Sequence, residues 1–212
     1  MTSAKLTDMT DAASYVDPPT VPGGLEPVRP RSRAARRGGL GGVLAAAAVG
    51  SAVAVGLGVY GRAHEPTFSA INIAGFSSGL SAKAWLGSGV FLLALVQLGT
   101  AIVMEKRFKA GKPTRLGVLH RWSGRAAVLL SVPVAVHCLY ALGFQSGSTR
   151  VLVHSLAGCF FYGAFVTKML VLQKRSSPSW SLPLLGGTVF TALTAVWLSS
   201  SLWFFTTSGL TF

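Results

Sequence analysis

The sequence holds four histidines, His64, His120, His137 and His154, and each lies inside or beside an apolar stretch. Ionisable side chains at membrane depth are costly enough to be read as functional by default. His137 and His154 flank the six-residue connection Gln145-Ser146-Gly147-Ser148-Thr149-Arg150, and their positions average to 145.5, inside it. Two residues equally far from the turn of an antiparallel helix pair sit at one level in a bilayer, the placement two axial ligands of a single haem iron need. Pro133, one turn before His137, removes a backbone hydrogen bond and bends the helix. Gly158, one turn after His154, leaves a face without a side chain where a flat ring fits, with Phe161 and Phe165 continuing it as apolar walls. The competing reading has these histidines bridge helices by hydrogen bonds, with Pro and Gly present only because transmembrane helices tolerate them.

The other two histidines are placed differently. His120 precedes His137 by seventeen residues, about 25 Å along a helix and on a face roughly 100° away, so one haem does not reach both. A partner for His120 would fall near position 171, where Lys168 and Met169 are the nearest candidates, and an interfacial role suits His120 better. His64, in Arg62-Ala63-His64-Glu65-Pro66, lies beyond the first apolar run, and a surface or haem-edge role is favoured over ligation. Arg62, Lys83 and Arg150 share a side with His137 and His154 and are natural partners for haem propionates. Arg150 is the best placed of them, since guanidinium grips carboxylate with two hydrogen bonds. Cys138 and Cys159 differ by about 9 Å in depth, too far for a disulfide. No CxxCH motif is present, so covalent haem attachment is excluded and the cofactor expected is haem b. There is no phosphate loop and no flavin or nicotinamide fingerprint.

These groups must be carried by membrane helices. Of 212 residues 50% are hydrophobic and only 12% charged, against roughly 25% charged in ordinary soluble domains. The mean hydropathy is +0.54. The 25 glycines lack a three-residue period, so a collagen-like chain is excluded. Residues 1–39 read as a disordered, basic, Pro/Gly-rich cytoplasmic tail. Residues 40–212 read as an all-α, polytopic bundle with five transmembrane helices at 40–60, 84–104, 120–144, 151–172 and 182–205. The first apolar run begins too late for a cleaved signal peptide. The net charge of +13 is assigned to membrane orientation and not to nucleic-acid binding. Five arginines (Arg29, Arg31, Arg33, Arg36, Arg37) precede the first helix, and seven basic residues join the second to the third. A cytoplasmic N-terminus and an extracytoplasmic C-terminus follow, in the cytoplasmic membrane.

His120-Arg121-Trp122-Ser123-Gly124-Arg125, leading into an apolar helix with His137, resembles the approach to a haem-bearing helix in ferric-reductase-like transmembrane proteins. The few-helix, histidine-bearing layout is similar to cytochromes of the b561 type. Residues 119–144, 150–169 and 83–86 resemble a family of uncharacterised actinobacterial five-helix membrane proteins, which brings no activity with it. Ferric-reductase-like proteins pair two histidines on each of two helices, whereas the fourth segment here has only His154; by that resemblance His120 is a further candidate ligand. The function expected is electron transfer by a bis-histidine b-type haem in the outer half of the membrane, exchanging with a quinol or an extracytoplasmic carrier. The alternative is a structural or assembly subunit. A transporter is disfavoured, because five segments show no inverted repeat.

Overall fold

The computed structural model describes residues 33–68, 75–110, 115–174 and 177–211. Among them every regular element is helical: α1 (Arg33–Ala63), α2 (Gly79–Lys109), α3 (Leu116–Val136), α4 (Thr149–Leu172), α5 (Ser181–Trp197) and the short α6 (Trp203–Ser208). Two π-helical turns interrupt the series. His137–Leu142 continues α3, and Leu198–Leu202 joins α5 to α6. Five helices are long and apolar enough to cross a membrane, at Gly39–Ala63, Gly79–Phe108, Leu116–Leu142, Thr149–Leu172 and Ser181–Ser208. The five expected spans are all present, each longer than its apolar run. The first helix starts at Arg33, inside the stretch read from sequence as tail; residues 1–32 of that tail lie outside the described residues.

The helix ends follow from local chemistry. Ser78 and Ser148 accept hydrogen bonds from the backbone N–H of Ser81 and Val151 and so cap α2 and α4. Gly143, at φ +68°, ends the π turn after α3. A side chain there would be strained, and its Cβ would meet the Gly61 carbonyl at 2.9 Å. The same crossing is fastened by Phe144 N–H donating to the Gly61 carbonyl at 2.6 Å and Phe68 N–H donating to Ala141 at 3.0 Å. The end of α1 is thereby tied to the end of α3.

The close-packed pairs are α1 with α4, α2 with α3, and α4 with α5. The α1–α4 crossing is built on Gly50 and Gly163. A Cβ on Gly50 would run into the Gly163 carbonyl, and one on Gly163 would lie 2.5 Å from the Gly50 carbonyl. Small residues let backbones approach this closely where lipid supplies no hydrophobic drive for association. Between α2, α4 and α5 a small core forms from Val90, Ala94, Phe161, Ala192 and Leu193. Large apolar side chains such as Leu44, Leu92, Leu129 and Leu184 are exposed on the outside of the bundle. In an apolar solvent that is their proper place. The chain-consecutive helices α3 and α4 run antiparallel but are not among the close-packed pairs. They are bridged by side chains instead, with Tyr162 Oη donating to Ser131 Oγ at 3.1 Å and Ser155 Oγ donating to the Gln145 carbonyl at 3.1 Å.

Candidate functional site: an apolar cavity between α3, α4 and α5

Where α3 and α4 stand apart, the bundle holds a partly open cavity of about 360 Å³, within the range of small-molecule and cofactor sites. It lies toward the end that carries the α3–α4 connection. From α3 and its π turn come Ser131, Val134, Ala135, Cys138, Leu139 and Leu142, which share one helical face. Helix α4 contributes Arg150, His154, Gly158 and Phe161, and the second π turn contributes Ser199, Ser200 and Ser201. Lys83 lines it from α2. Both π turns therefore border the same space, and π turns inside helices frequently mark functional sites.

His154 is the best-defined group in the cavity. Its Nδ1 lies 3.2 Å from Ser199 Oγ, whose own proton goes to the Ala195 carbonyl at 2.7 Å. With the serine accepting from Nδ1–H, Nε2 is the acceptor nitrogen of the ring. That nitrogen faces Cys138 Sγ at 3.9 Å across the α3–α4 gap. Both cysteines are free thiols. One turn along α4, a Cβ on Gly158 would meet nothing within 4 Å, so the face read from sequence as open for a flat ring is open. Phe161 lines the cavity and Phe165 does not.

His137 is buried, at 5% exposure, and neither ring nitrogen has a hydrogen-bond partner among the described residues. It is not one of the cavity-lining residues. It sits one register step from Cys138, at the start of the π turn. The level expected for His137 and His154 does not translate into a shared direction. His64 also lies outside the lining, stacked between Tyr60 at 5.3 Å and Tyr140 at 4.9 Å. His120 belongs to a polar clasp between α2 and α3 toward the other end of the bundle. There its Nδ1 lies 2.8 Å from Thr100 Oγ1, and Gln97 Nε2 donates to the His120 carbonyl and to Ser123 Oγ.

Arg150 is partly committed inside the protein. It donates to the Ser199 carbonyl at 2.7 Å, and its guanidinium stacks 3.7 Å above the Trp203 ring. The C-terminal segment is fastened as well, because the Thr211 carbonyl accepts from Ser81 Oγ at 2.9 Å and Trp85 Nε1 at 3.0 Å. Three contributors were not singled out from sequence: Cys138 as a cavity group, Ser199 as the partner that fixes His154, and Trp203 as the platform for Arg150. The run Ser199-Ser200-Ser201, polar inside an apolar segment, was the signal available for the second.

The fold and site define a class: an all-α, multi-helix membrane bundle with an apolar cavity bordered by a few convergent polar groups. Within that class, the chain belongs to a family of unknown function (DUF6529), whose profile matches residues 43–212. No curated protein and no solved structure matches it.

Proposed function

We propose that this protein is a b-type haem protein of the cytoplasmic membrane, with its haem in the α3–α4–α5 cavity and electron transfer as its activity. The observation that supports this most is His154. Ser199 holds its Nδ1–H, and Nε2 presents a lone pair to an apolar cavity beside the open face of Gly158. Metal-ligating histidines characteristically donate their other ring N–H to a fixed acceptor in this way. Lys83, and the donors of Arg150 that Ser199 and Trp203 leave over, supply positive charge for propionates. Bound there, haem supplies one-electron redox chemistry, and the protein's part is ligation, orientation and exclusion of water. The charge of the connections supports a cytoplasmic N-terminus, which puts the cavity in the outer half. A quinol or an extracytoplasmic carrier is the matching exchange partner.

The test is an absorption spectrum of the full chain purified from haem-replete cells, oxidised and dithionite-reduced. A Soret band that is lost in His154→Ala and weakened in Gly158→Leu, which fills the open face, agrees with the proposal. A wild-type protein without a Soret band refutes it. The absence of that band would favour a structural or assembly subunit. The observations supporting that second reading are the bonds His120–Thr100 and His154–Ser199, which join α3 to α2 and α4 to the π turn after α5 without any cofactor.

A further inference from the structure

We propose that Cys138, and not His137, is the axial ligand opposite His154; this rests on the haem reading above. Cys138 Sγ and His154 Nε2 are the two soft, metal-competent atoms that face each other across the cavity, 3.9 Å apart. They come from helices that are not close-packed against each other, and the two atoms are in hydrogen-bond contact with each other. Metal bonds of about 2.0 Å to an imidazole nitrogen and about 2.3 Å to a thiolate sulfur, the lengths known at zinc, sum to about 4.3 Å for ligands on opposite sides of one metal. The observed separation is close to that span, and a small rotation about χ1 of Cys138 covers the difference. His137 lies one residue away in sequence but off the cavity-lining face. The arrangement is more than a solitary thiol. It combines an imidazole oriented by Ser199, a facing sulfur, an apolar cavity and a glycine at which a side chain would meet nothing.

Ligation converts the Cys138 thiol to a thiolate and releases its one proton to water as haem binds, with no change in oxidation state of the sulfur. A thiolate donates more electron density to iron than an imidazole does, so the haem has a lower midpoint potential than a bis-histidine centre in the same cavity.

The experiment uses the full chain in detergent, with haem content, ferric electron paramagnetic resonance and redox titration as readouts. The wild type is expected to give the narrow low-spin g spread of a histidine–thiolate centre. Cys138→Ser loses that spread while retaining haem through His154, and Cys138→His restores a six-coordinate low-spin centre with a wider spread and a higher potential. His137→Ala leaves the wild-type signature in place. Circular dichroism establishes that each variant is folded, and Cys138→His serves if Cys138→Ser is not. A haem-loaded wild type whose signature survives Cys138→Ser, or disappears in His137→Ala, overturns the thiolate assignment and leaves haem binding standing. A wild type that binds no haem overturns both, and that is apparent before any variant is compared.

Discussion

The glycines of α4 give a quantitative test of the packing that creates the cavity. Gly163 and Gly158 sit on the same helix five residues apart, yet an added methyl group meets opposite environments. At Gly163 it would lie 2.5 Å from the Gly50 carbonyl and 2.8 Å from Ala54 Cβ; at Gly158 it meets nothing within 4 Å. Either substitution to alanine gains the same helix propensity, about 0.5–1 kcal/mol, so that gain cancels in the comparison. What remains is the overpacking cost at Gly163, about 1–3 kcal/mol, or roughly a 5- to 150-fold difference in the folded-to-unfolded ratio. The obstruction at Gly163 includes backbone, which cannot rotate aside as a flexible side chain does. Apo protein in mixed micelles, titrated with a denaturing detergent and followed by circular dichroism, is expected to show Gly163→Ala unfolding earlier than wild type and Gly158→Ala no earlier. Equal midpoints for the two variants would refute the close α1–α4 crossing and the placement of open space beside His154.

Three further outcomes are expected. A phosphatase fused after Phe212 is active and a cytoplasm-dependent fluorescent protein fused there is dark; the reverse pattern contradicts the cytoplasmic N-terminus. His120→Ala removes the bond to Thr100 and lowers the detergent-unfolding midpoint by an amount equivalent to about 0.6 kcal/mol, the mean for interhelical hydrogen bonds in membranes, while the Soret band stays unchanged. Arg150→Ala removes a charged hydrogen bond worth about 1.5–3 kcal/mol and a cation–π contact worth about 0.5–2 kcal/mol. Hydrogen exchange across residues 199–208 accelerates as a result, and Arg150→Lys restores only part of the protection, because ammonium lacks the planar face that stacks on Trp203.

The five membrane spans are legible in the sequence because twenty or so apolar residues in a row have few other uses. Their ends are less so. Helix α1 reaches back to Arg33 and α2 forward to Lys109, past the apolar runs, because a helix continues into the aqueous boundary wherever its residues tolerate it. The short connection between 145 and 150 correctly implies an antiparallel arrangement of α3 and α4. It does not reveal that they pack mainly on other helices, since loop length limits separation without compelling contact. For the site, sequence spacing speaks to depth along the helices and not to direction around them. His137 and His154 are matched by distance from the turn, but one residue of helical register separates a side chain on the cavity face from one beside it. The π turn at His137–Leu142 alters that register further, and no local residue pattern announces it.

The cavity follows from how α4 distributes its faces. One face, with Gly50 and Gly163 at its crossing, is taken up by α1, and another packs on α5. The face carrying His154 and Gly158 is left for α3. Helix α3, however, is held to α2, where Gln97 and Thr100 reach the His120 end, and its other end is tied to α1 through Gly61 and Phe144. Pinned at both ends to other partners, α3 cannot close on α4 along its middle. The two π turns widen the helices where they border this gap and bring Cys138 and Ser199 to either side of His154. A bundle serving only as a scaffold gains nothing from leaving its central helix uncovered, because the lining of a void forfeits dispersion contacts. The separation of α3 from α4 is a consequence of where α3 is pinned, and it is what leaves the cavity beside His154 open.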